Sequence, residues 1–95
     1  MRANSMQRIL QEKQWISLGY SDYPNFEYIK HIKEVSRTRS RACLKANIDE
    51  KTMEVRFYPV YKKRFDYDDC CAMLYLENEF MEIAKQYGFQ RAKLK

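Results

Sequence analysis

The chain has 95 residues, a net charge of +5, 45% hydrophobic and 33% charged residues, and only two Gly and two Pro. That length supports one core that buries about 60–65% of the unfolded surface, so residues 1–95 read as a single domain. The composition argues against disorder and against a turn-rich β-sandwich, and no window approaches the roughly 20 apolar residues of a membrane span.

In chain order, Asn4 or Ser5 caps a first helix over about 5–18, with Met6, Ile9 and Leu10 on one face and Gly19 as its left-handed end. Trp15–Leu18 fits a short strand equally well. Tyr20–Asn25 is a loop, since Pro24 holds Tyr23 extended. Over 26–35 the recurrence of Phe26, Ile29 and Ile32 predicts a second helix, because strand alternation would mix Ile29 with His31 and Lys33.

Ala42, Leu44, Ala46 and Ile48 alternate with polar residues, and so do Met53, Val55 and Phe57, which predicts an antiparallel hairpin over about 40–48 and 53–61. Asp49–Thr52 is its turn, and Pro59 marks the second strand as an edge or ends it. Met73, Leu76, Phe80, Ile83, Ala84 and Tyr87 form the stripe of a long helix over about 67–87, terminated by Gly88. Residues 88–95 are a basic tail or a short strand. The fold class is α+β, a small two-layer sandwich with the hairpin packed on the last helix.

Charge is divided by element. Residues 37–64 carry nine basic and three acidic residues, whereas 65–87 carry one basic and six acidic. The hairpin's outward face collects Arg41, Cys43, Lys45, Arg56 and Tyr58. Arg37 and Arg39 precede it, and Lys62, Lys63 and Arg64 form a basic corner after it. Converging cations suit phosphates, because neutralising them releases counterions, and an exposed Tyr among them suits base stacking. The competing reading is a merely solvated sheet face. Tyr61, Tyr75 and Glu79 are candidate partner-binding residues, with Tyr75 and Glu79 placed on the outer side of the last helix.

Enzymatic signatures are missing. The chain has no glycine-rich phosphate loop and no Gly-x-Ser-x-Gly. One His and no Cys-x-x-Cys argue against a zinc site, and no cofactor is expected. At a helix start the dipole stabilises a thiolate, which makes Cys70 and Cys71 candidate reactive thiols; packing is the expected role. His31 could in principle serve a Cys nucleophile as base, but nothing in the sequence places the two together, and a satisfied or solvent-facing histidine is the expectation. With an odd three Cys and no apolar run in the opening residues, a reduced, cytoplasmic setting is the expectation.

The leading expectation is therefore a non-enzymatic nucleic-acid-binding module that takes RNA or single strands through Arg37, Arg39, Arg41, Lys45, Arg56, Tyr58, Lys62, Lys63 and Arg64. The alternative is a small adaptor or inhibitor, of the accessory kind viruses and plasmids carry, that docks the basic hairpin on a partner protein. A homodimer through the edge strand is its variant.

Overall fold

The computed structural model describes residues 2–32, 42–60 and 67–93. The elements run α1 (Arg2–Glu12), β1 (Ile16–Asp22), β2 (Asn25–His31), β3 (Cys43–Asp49), β4 (Glu54–Val60), α2 (Tyr67–Ala84), a 3-10 turn (Lys85–Tyr87) and β5 (Gln90–Arg91). The five strands form one sheet in the order β1-β2-β3-β4-β5, antiparallel up to β4 and parallel between β4 and β5. The two helices join the core through the same cluster as the sheet, which gives a two-layer α+β fold.

The expected hairpin forms as β3 and β4, with Asp49 opposite Glu54 and Lys45 opposite Tyr58. Asp49 Oδ1 accepts from the backbone N–H of Lys51 (2.9 Å) and Thr52 (3.1 Å), which satisfies two turn donors at once. Ala42, Leu44, Ala46, Ile48 and Val55 are buried, and Met53 and Phe57 pack against them. The stripe of α2 meets this face. Phe80 lies at its centre, its ring 4.9 Å from Trp15 and 5.6 Å from both Tyr28 and Phe57.

The N-terminal half departs from expectation. The first helix stops at Glu12 rather than near 18, and Gly19 lies within β1, where the register shifts between Ser17 and Gly19. The helix ends instead on Gln14, which takes the left-handed conformation (φ 70°). Trp15 N–H donates to Leu10 C=O (2.9 Å) and Gln14 N–H to Gln11 C=O (2.9 Å), a Schellman pair that seats Trp15 beside Leu10 in the core. Gly88 repeats the motif at the far end of the chain (φ 90°), with Phe89 N–H on Ala84 C=O and its own N–H on Lys85 C=O.

The second expected helix, 26–35, is strand β2 over Asn25–His31. Its inward positions are Phe26, Tyr28 and Lys30, and the lysine is buried. A cation at a core position hides the period of two, and so the apolar residues Phe26, Ile29 and Ile32 mimic a helical face. Of the last residues, Gln90 and Arg91 pair in parallel with Glu54 and Val55, so the strand reading applies to them.

Candidate nucleic-acid interface

Side-chain parity on β3 and β4 sends Lys45, Asn47, Arg56 and Tyr58 to the sheet's open side. Tyr58 is 48% exposed and stands directly across from Lys45. Cys43 shares that side but is buried. The neighbouring β2 contributes Glu27, Ile29 and His31 to the same surface.

This surface is less basic than the hairpin alone suggests. Lys45 Nζ lies 3.9 Å from Glu27 Oε1, and Arg56 Nη2 lies 3.9 Å from Glu54 Oε1. Glu27 also accepts from Asn47 Nδ2 at 3.1 Å. Both ion pairs are long and partly exposed, so they soften the positive field without consuming the cations. Exposed Ile16, Leu18 and Val60 add apolar area at the sheet's borders.

A more strongly basic feature lies around the β4 edge. A groove of about 290 Å³ is lined by Val55, Arg56, Phe57, Tyr58, Glu77, Arg91, Ala92 and Lys93. It brings Arg56 and Tyr58 together with Arg91 and Lys93, which the sequence places more than thirty positions away. β5 creates it by pairing with only Glu54 and Val55. The last bond runs from Ala92 N–H to Val55 C=O (2.9 Å), and by strand alternation the backbone N–H and C=O of Phe57 point the same way, into the groove. Arg91 is held in place by Glu77 Oε1 and lies over the Phe57 ring, 5.3 Å from its centroid. The lining therefore carries three cations against one carboxylate, with an exposed phenol at the rim.

The other candidates are distributed as follows. Arg37, Arg39, Arg41, Tyr61, Lys62, Lys63 and Arg64 lie outside the described residues. Tyr75 is 57% exposed on α2 and shares an outward stripe with Tyr67 and Leu74, which are also exposed. Glu79, expected beside Tyr75, instead turns inward. Its Oε1 accepts from Trp15 Nε1 (2.9 Å) and Lys30 Nζ (2.7 Å), which makes it a tie between α2 and the sheet. Cys70 and Cys71, expected to pack, are exposed, and none of the three cysteines is in a disulfide.

Among the described residues no three His, Cys, Asp or Glu side chains gather as a metal-ligand group, and no helix is long and apolar enough to cross a membrane. No protein family, curated protein or solved structure matches the chain.

Proposed function

We propose that this chain is a non-enzymatic module that binds single-stranded nucleic acid, RNA by preference, along the β4 edge. The supporting observation is the convergence of Arg56, Tyr58, Arg91 and Lys93 on one open groove. The cations take phosphates and Tyr58 offers a ring face to an unstacked base. Lys45, opposite Tyr58, extends the same track. Duplex reading is disfavoured because the longest helix, α2, lies in the acidic part of the chain and has no basic face to lay in a major groove. Three cysteines outside any disulfide suit a reducing, cytoplasmic setting.

The test is binding of a fluorescent single-stranded oligoribonucleotide, followed by anisotropy across a salt series. Three phosphate contacts predict a log–log slope near −2, so raising salt about fourfold weakens binding roughly twentyfold. Absence of binding at low salt, or an affinity that salt does not change, overturns the proposal.

A second reading rests on a separate observation. Tyr67, Leu74 and Tyr75 form an exposed aromatic and aliphatic stripe on α2, of the kind that anchors a partner protein, and this supports an adaptor or inhibitor. Substituting Tyr75 by Ala leaves RNA affinity unchanged under the first reading and abolishes partner capture under the second.

A further inference from the structure

Away from the groove, strand register sets a thiol against an imidazole. His31 on β2 is directly opposite Cys43 on β3, and both point to the open side of the sheet. Cys43 Sγ lies 3.0 Å from His31 Nδ1 and 3.9 Å from Nε2, so the ring's Nδ1 edge meets the sulfur within hydrogen-bond reach. Cys43 is only 7% exposed, whereas Cys70 and Cys71 are open to solvent. The same histidine lines a cavity of about 450 Å³ whose other walls are Gln11, Gln14, Trp15, Ile16 and Ser17. His31 thus touches both the thiol and a solvent-connected space with a mixed polar and apolar lining.

We propose that Cys43 and His31 form a thiol–imidazole pair that makes Cys43, the least exposed thiol of the three, the preferred site of oxidation by small hydroperoxides. The thiolate, not the thiol, is the nucleophile, and an adjacent imidazole is a group that receives its proton. In the reaction the Cys43 proton passes to His31, and the sulfur attacks one peroxide oxygen. An S–O bond forms as the O–O bond breaks. The departing oxygen takes the proton from His31 and leaves as water or an alcohol. The sulfur is oxidised to a sulfenic acid and the peroxide is reduced, with no other reactant required. A small oxidant is specified because a sulfur this buried excludes bulky ones. The inference is independent of nucleic-acid binding, because neither residue lines the β4 groove.

Exposure and activation predict opposite outcomes, which makes a direct test possible. The native protein is treated with hydrogen peroxide at neutral pH in the presence of dimedone, and adducts are assigned to each cysteine by peptide mass spectrometry. Cys43 is expected to be labelled at least about tenfold faster than Cys70 or Cys71, a margin below the roughly hundredfold at which the range for an assisting base begins. Unfolding the chain in urea is expected to slow Cys43 to the rate of the other two, although it becomes fully exposed. His31→Gln is expected to remove the advantage of Cys43 and leave Cys70 and Cys71 unchanged. Labelling of Cys43 no faster than its exposed neighbours in the folded protein, or an increase on unfolding, overturns the proposal without reference to any variant.

Discussion

Lys30 Nζ donates to Glu79 Oε1 at 2.7 Å, with the two side chains only 4% and 15% exposed. The pair bridges β2 and α2 from within the core. Trp15 completes it, since Nε1 donates to the same carboxylate oxygen and the ring face lies 5.9 Å from the ammonium. Desolvating two charges offsets much of their attraction, so the pair adds little net stability, yet removing one partner strands the other. Lys30→Met or Glu79→Gln alone is expected to destabilise by about 3 kcal/mol in urea titrations. The double substitution, which keeps an acceptor for Trp15, recovers most of that loss. Additive losses in the double variant would show that the pair is not coupled.

The buried pair also explains what the sequence conceals. The hairpin and the α2 stripe are legible because their apolar positions follow periods of two and 3.6 without interruption. β2 is not, because Lys30 occupies a core position that Glu79, 49 residues later, makes tolerable. The inward turn of Glu79 is hidden for the same reason, since a charged residue on a helix reads as solvent-facing. Of the candidate interface, Arg56 and Tyr58 were legible from alternation alone. Their convergence with Arg91 and Lys93 depends on a two-residue parallel strand too short to leave a periodic signal.

The end of α1 was hidden by the absence of glycine where one is wanted. Gln14 holds φ 70°, a conformation that costs a side-chain-bearing residue about 1–2 kcal/mol. Gln14→Gly removes that strain but increases the freedom of the unfolded chain by about 0.5–1 kcal/mol. A net stabilisation of about 0.5–1 kcal/mol is expected from chemical denaturation. A loss of stability would mean that the Gln14 side chain makes a contribution the backbone geometry does not show.

Tyr28 is fully buried and its hydroxyl meets no hydrogen-bond partner among the described residues. Burial is the main reason its phenol titrates far above the ordinary range, with the nearby Glu50 carboxylate adding to the effect. An unsatisfied buried hydroxyl is a liability that the phenylalanine ring lacks, while the contacts with Phe26 and Phe80 remain. Tyr28→Phe is therefore expected to be neutral or stabilising by up to about 1 kcal/mol. A cost above that would indicate that the hydroxyl is satisfied in solution.

The β3–β4 turn carries a pH dependence of known sign. The Thr52 backbone N–H, followed by that of Lys51, holds the Asp49 carboxyl below its usual range. A carboxylate with a lowered folded pKa stabilises above its unfolded value, near 4, and that contribution disappears as pH falls through the lower folded value. The stability difference between the native chain and Asp49→Ala should be constant at neutral pH and shrink progressively below about pH 4. A difference independent of pH would assign the role of Asp49 to something other than its charge.

In the groove, each cation should act on the salt slope as well as on affinity. Arg56 approaches from β4 and Lys93 from the segment that follows β5, and Arg91 is already engaged by Glu77. Arg56→Ala and Lys93→Ala are each expected to reduce the slope by about 0.7, the value for one phosphate of a single strand. Arg91→Ala should lose less slope but also disturb the Phe57 wall it covers. Tyr58→Ala removes the stacking face without removing charge, so affinity should fall by about 1–3 kcal/mol with the slope unchanged. If Tyr58→Ala and Arg56→Ala instead leave both quantities as they are, the nucleic acid does not follow the β4 edge, and the basic residues beyond the described segments become the place to look for it.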